Sequence, residues 1–204
     1  MTAESLHQPK QPAQSAVPDW LIPPEAGFTA DDFLRMDNLP PHSELIDGSL
    51  VFVSPQRLFH TLAMDLLVYG LRRTVPEVLR VRREMSVVLG PRQCPEPDIT
   101  VVRAEADADP SSTRYQAADV LLAVEVVSPD SHMRDRERKP QLYARAGIPH
   151  YWRVERSDDW RPVVYVYEID PATEAYVITG IHHDRLKLTV PFDIDIDLAE
   201  IDHL

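Results

Sequence analysis

Asp119-Val120-Leu121-Leu122-Ala123-Val124-Glu125-Val126-Val127, closed by Ser128-Pro129, is the stretch whose reading decides the fold class. A run this short and this continuously apolar reads as a strand buried on both faces, the kind that sits in the middle of an α/β sheet. Downstream, residues 130–146 are charged and then amphipathic through Leu142, Tyr143 and Ala146. Gly147 before Ile148-Pro149 is a helix stop, so one helix follows the central strand. Further strands are expected at about 150–155, 163–169, 175–182 and 185–190. Asp193-Ile194-Asp195-Ile196-Asp197 alternates acid with isoleucine, as a half-exposed edge segment does. Upstream lie strand-like runs at about 79–89 and 98–103, and before them a helix over 57–74. In that helix Leu58, Leu62, Leu66 and Phe59, Ala63, Leu67, Leu71 recur at spacings of three and four and make one broad apolar stripe. Residues 44–53 form two short strands around Asp47-Gly48, the strongest short-range hairpin signal. Thr29 with Asp32 resembles a capping box and starts a short helix over about 30–37. This order of elements predicts an α/β fold with a central mixed β-sheet flanked by helices.

With 204 residues and 44% hydrophobic content, one domain with a substantial core is the expectation, and it is placed at 28–204. Residues 1–27 carry five prolines and a single aromatic, Trp20, too little apolar surface to offset the entropy of folding, so they read as a disordered leader. The net charge of −12 excludes a protein that coats nucleic acid by bulk positive charge. The single cysteine, Cys94, excludes a disulfide framework and every multi-cysteine zinc site. Six scattered glycines leave no P-loop or dinucleotide fingerprint, hence no nucleotide cofactor. No apolar run reaches the roughly 18–20 residues of a membrane span, and a cytoplasmic location is expected.

Glu125 is the anomaly: a carboxylate between two valines in the most apolar strand needs a cation, a metal or a proton. Asp98 enters another apolar strand, Ile99 to Val102. If the two strands are neighbours, hard oxygen ligands for Mg²⁺ converge at one sheet end; taken singly, either acid reads as a turn cap or a surface group. Lys139, one of only three lysines, lies on the helix after the central strand and either reaches this pair or belongs to the solvated face of Arg134, Asp135, Arg136, Glu137 and Arg138. Two basic clusters could meet phosphates. The first holds Arg72, Arg73, Arg80, Arg82 and Arg83 and the second Arg134, Arg136, Arg138, Lys139 and Arg145; interleaved acids make salt-bridged helix faces the competing reading. Cys94 and His182-His183 have no partners at catalytic or zinc spacing, and Tyr151-Trp152 reads as core.

Glu44-Leu45-Ile46-Asp47-Gly48, Pro97-Asp98, Glu125-Val126-Val127-Ser128-Pro129, Arg138-Lys139 and Tyr143-Ala144-Arg145-Ala146-Gly147-Ile148-Pro149-His150-Tyr151-Trp152 together resemble the Uma-two family of bacterial restriction-endonuclease-like proteins, a branch of the PD-(D/E)XK nuclease superfamily. The resemblance spans about residues 28–200. It implies a restriction-endonuclease-like core with a metal site at the sheet's end, Asp98 and Glu125 as ligands of Mg²⁺ or Mn²⁺, and Lys139 as the catalytic lysine. The superfamily places that lysine two residues after the glutamate, where this chain has Val127. Glu44 matches a family acid and is either a further site residue or a hairpin residue. The implied activity is Mg²⁺-dependent endonucleolytic hydrolysis of DNA, with contacts from Arg134, Arg136 and Arg138. The alternative keeps the fold as a non-catalytic DNA-binding or homodimeric assembly module.

Overall fold

A computed structural model describes Pro18 and residues 21–204. The expected leader lies outside the described residues from 1 to 20, Pro18 excepted. In chain order the elements are α1 (Ala30–Phe33), β1 (Ser43–Ile46), β2 (Ser49–Phe52), α2 (Leu58–Thr74), β3 (Leu79–Arg83), β4 (Ser86–Val88), β5 (Ile99–Arg103), β6 (Arg114–Gln116), β7 (Val120–Val126), α3 (Lys139–Arg145), β8 (His150–Arg156), β9 (Pro162–Asp170), β10 (Ala175–His182), β11 (Arg185–Leu188) and β12 (Ile194–Asp197). Six of them form the main sheet in the order β10-β9-β8-β7-β5-β3. β7 runs parallel to β8 and every other neighbouring pair is antiparallel, so the fold is α/β on a mixed sheet, as the order of elements predicts. Parallel neighbours need a crossover, and the helix ending in α3 supplies it.

Each sheet face has its own core. On one, α2 packs Ala63, Leu67 and Leu71 against Val101, Leu122, Val124 and Trp152. On the other, Tyr143 and Ile148 meet Ala123, Tyr151 and Tyr167. Tyr151 and Trp152, adjacent on β8, therefore serve opposite cores, as strand alternation requires. Leu45 of β1 and Cys94 join Phe28 and Phe33 in a third cluster, and main-chain bonds between Leu45 and Cys94 tie β1 to the segment before β5.

Two elements differ from the sequence reading. The run 79–89 is two strands, because Glu84 takes a left-handed backbone (φ 52°) and sends β4 to a separate parallel pairing with β6. The first helix is shorter than expected and ends at Phe33, although its capping box between Thr29 and Asp32 is formed. The tail keeps its expected alternation as the edge strand β12, paired with β11, with Ile194 and Ile196 buried in the main core and the aspartates partly exposed. α2 meets it at Gly70, where a Cβ would stand 2.5 Å from the Ile196 side chain. Ile196→Ala is expected to lower stability by about 2–5 kcal/mol, read by chemical denaturation. A loss no larger than that of Asp195→Ala, on the outward face of the same strand, would show that β12 is peripheral.

Candidate active site

Register brings the two predicted carboxylates together. β5 runs antiparallel to β7 with Ile99 opposite Val124, so Asp98 stands level with Glu125 at the sheet's end. Asp98 Oδ2 accepts the Val126 N–H at 2.6 Å, which continues the ladder by one side-chain bond, and His60 Nε2 of α2 lies 3.1 Å from Oδ1. Glu125 lines the same cavity and is 2% exposed. Both its oxygens are taken: Tyr143 Oη donates to Oε1 at 2.5 Å and Lys139 Nζ to Oε2 at 3.0 Å.

Lys139 reaches Glu125 through an irregular helix. Residues 134–138 form a π turn in which the Lys139 N–H bonds to the Arg134 carbonyl, five residues back. Pro140 gives the physical reason: it has no N–H, and in a regular helix its ring would clash with the Arg136 carbonyl. The bulge leads into α3 with Asp135, Lys139 and Tyr143 all buried. The ammonium sits 2.8 Å from Glu44 Oε1, 3.0 Å from Glu125 Oε2 and 3.5 Å from Asp135 Oδ1.

Glu44 arrives on the β1–β2 hairpin, and its Oε1 also accepts the Glu96 N–H at 2.9 Å. Asp47, at the hairpin turn with φ 54°, binds Arg138 and Gln93, which clamps the hairpin to the helix. Glu44 is thus both a hairpin residue and a member of the site.

Burial pushes the Glu125 carboxyl well above its ordinary range, with Lys139 offsetting only part of that and Asp135, Asp98 and Glu44 adding to it. Burial alone would pull the Lys139 ammonium down; Glu125, Glu44, Asp135 and Asp98 outweigh it and hold the lysine well above its usual value. Lys139 is therefore the fixed charge, and burial together with the excess of acid around it drives Glu125 upward. Asp135 is also raised by burial, and Tyr143 by burial and by Glu125, so its phenol stays a donor.

These groups line a cavity of about 60 Å³, room for a few waters. Asp98 and Glu125 offer the hard oxygens that Mg²⁺ takes from one or two protein carboxylates while keeping its waters, and Glu44 Oε2 is buried with no hydrogen-bond partner. Among the described residues no group of three or more His, Cys, Asp or Glu side chains is arranged to hold a metal ion. Lys139 stands between Glu44 and Glu125, so a divalent cation here would draw on two protein carboxylates, Asp98 and Glu125, with its shell completed by water.

Residues 30–199 match the Uma2 family model, described as "Putative restriction endonuclease". The chain belongs to the Uma2 family. A crystal structure from Anabaena variabilis, described as a "putative nuclease belonging to DUF820", superposes with a TM-score of 0.66 at 17% identity, covering 85% of this chain and 97% of that one. No curated protein matches. In this Uma2 chain Val127, two residues after Glu125 and just past the end of β7, donates its N–H to the Val154 carbonyl.

The structure places the expected DNA-contacting arginines unequally. Arg136 binds Glu155 in a two-pronged pair and Arg138 binds Asp47, whereas Arg134 lines the cavity and leaves its Nε without a hydrogen-bond partner. In the other cluster Arg82 pairs with Asp107 and Arg83 with Asp65, as salt-bridged faces. Cys94 is buried and its thiol pushed up to about 12 by that burial, which disarms it as a nucleophile. Sequence reasoning missed Asp135, Tyr143 and His60. The first two flank Lys139 at a spacing of four, a readable helical stripe, and His60 precedes Ala63, Met64 and Leu67 at helical intervals. No described helix is long and apolar enough to cross a membrane.

Proposed function

We propose that this Uma2 protein is a divalent-metal-dependent endonuclease that hydrolyses DNA phosphodiester bonds, with Asp98 and Glu125 as ligands of Mg²⁺ or Mn²⁺. The observation that carries this reading is Lys139: a single buried ammonium held within 3.0 Å of Glu44 and Glu125, lining the same small cavity as Asp98. When bound, the cation supplies charge neutralisation at phosphorus and a lowered pKa for water. Asp98, fixed by the Val126 N–H and His60, needs no reorganisation to act as a ligand. Lys139 presents positive charge toward the oxygens on which negative charge develops. Glu44 and Asp135 hold that ammonium in place, and Tyr143 fixes the Glu125 rotamer, the outer-shell orientation that ligands require.

The test is cleavage of supercoiled and linear DNA by the full chain with Mg²⁺ or Mn²⁺, with chelator and with Asp98→Ala as controls. The expected result is cleavage that chelator abolishes and that Asp98→Ala reduces by about 10²-fold or more. Cleavage by Asp98→Ala at the wild-type rate would remove the assignment.

One observation favours the binding or assembly module instead. The cavity rim carries Glu84, Glu96 and Asp130, which repel phosphate, and Lys139 is already saturated by carboxylates. An absence of metal-dependent cleavage on duplex, single-stranded and RNA substrates, with binding retained, would favour that reading.

A further inference from the structure

Beside the candidate active site lies an apolar notch of about 420 Å³, and the two share Arg57, His60 and Ser128 in their walls. Its floor is formed by Phe59, Val127 and Pro129, and at its edge Leu58 is 73% exposed. Trp160 stands across from them, 65% exposed, on the turn between β8 and β9. Its backbone is left-handed, at φ 67°, a conformation that a bulky side chain adopts only where the surroundings impose it. Ser157 imposes it by bonding across the turn to the Arg161 carbonyl and N–H. The indole is therefore held out on a pinned turn. The Arg156 guanidinium lies over it, 3.9 Å from the ring centre.

Two cations at this notch lack an acid partner. Close by, Arg136 is neutralised by Glu155 and Arg138 by Asp47. Arg57 and Arg156 have no acid within salt-bridge distance among the described residues. The N-terminus of α2, a helix of 17 residues with no side-chain cap, lines the same notch, so its first-turn N–H groups are unclaimed by the chain. His60, buried in the shared wall, leaves Nδ1 without a partner. An aromatic plate, a guanidinium plane, two unneutralised cations and free helix N–H groups describe a ligand that is planar on one side and anionic on the other.

We infer that the notch holds an unpaired nucleotide of the DNA strand that enters the adjacent site, its base stacked on the Arg156–Trp160 pair and its phosphate toward Arg57 and the start of α2. The inference rests on the reading of that site as a DNA site, and it names the substrate class: single-stranded or frayed DNA rather than intact duplex. Stacking on aromatic and guanidinium planes is tolerant of sequence because every base has a π face. Trp160 is a binding residue here, outside the group that handles the phosphodiester.

The test measures binding without cleavage. The full chain, in chelator, is titrated into a short fluorescein-labelled oligothymidylate and separately into a labelled duplex of mixed sequence, read by anisotropy. Wild type should prefer the oligothymidylate, and Trp160→Ala should weaken it by about 5- to 100-fold, the scale of one lost base stack, while duplex affinity stays within about twofold. Trp160→Phe should recover most of the loss. Equal oligothymidylate affinity in wild type and Trp160→Ala overturns the inference, as does equal weakening on both probes, or filling of the notch by an apolar dye that oligothymidylate does not displace. A Trp160-dependent preference in a protein that never cleaves DNA would sink the nuclease proposal and leave this inference standing. Metal-dependent cleavage with a neutral Trp160→Ala would do the reverse.

Discussion

Lys139→Met is expected to lower stability by about 3–5 kcal/mol near neutral pH, the scale of removing one partner from a buried ionic group. The lysine is 4% exposed and is the cation within reach of Glu44, Glu125 and Asp135, all buried. Methionine fills much of the volume but leaves three acids without compensation, so the cost is electrostatic and not one of packing. Urea denaturation reads it directly. Adding Glu44→Gln and Glu125→Gln to Lys139→Met should recover a large part of the loss, because the triple variant leaves one buried acid, Asp135, without its cation where Lys139→Met leaves three. A midpoint for Lys139→Met equal to that of wild type would mean that the ammonium is not held where the structure puts it. Lys139→Arg should fail to substitute, since a planar fork cannot occupy the point that a compact ammonium shares among three carboxylates.

Much of this arrangement could be read from the chain, and the parts that could not share a physical character. β7 announces itself because a strand covered on both faces must be apolar throughout, and Glu125 stands out for the same reason. Asp47-Gly48 marks the hairpin because both residues take positive φ, 54° and 77°. Asp98 and Glu125 follow once β5 and β7 are neighbours, and one register fixes their meeting. Glu84 is different. Glu84 breaks a strand by a left-handed backbone that no local residue pattern requires. That is a tertiary fact. Asp135 hides in a run of charge whose other members face water, and only the π turn before Pro140 and the position of Lys139 set it apart. The arginines teach the converse lesson: their number suggests a phosphate track, yet their distances assign Arg136 and Arg138 to Glu155 and Asp47.

Glu125→Gln should separate function from folding more cleanly than any other single change. It is expected to cut metal-dependent cleavage by about 10²-fold or more, because an amide keeps the shape but gives up the anionic oxygen that a divalent cation requires. Stability of the metal-free protein should stay within about 1 kcal/mol of wild type or rise. The reason is the sign of the local field: burial and the neighbouring Asp135, Asp98 and Glu44 all oppose an ionised Glu125, against Lys139 and the hydrogen bond from Tyr143. Glutamine removes that repulsion. It still accepts from Lys139 through its carbonyl, while its amide can donate to Tyr143 Oη. Lys139 retains Glu44 at 2.8 Å, so no uncompensated cation is left behind. Mn²⁺ supplies a second readout. A bound ion at a hundred times its Kd stabilises wild type by about 2.7 kcal/mol, and the variant should lose most of that gain. An acid retained at a cost in stability and needed for activity belongs to a functional site. If Glu125→Gln instead unfolds the protein and leaves the Mn²⁺ response of any folded fraction unchanged, Glu125 is a structural partner of Lys139 and the metal assignment falls with it.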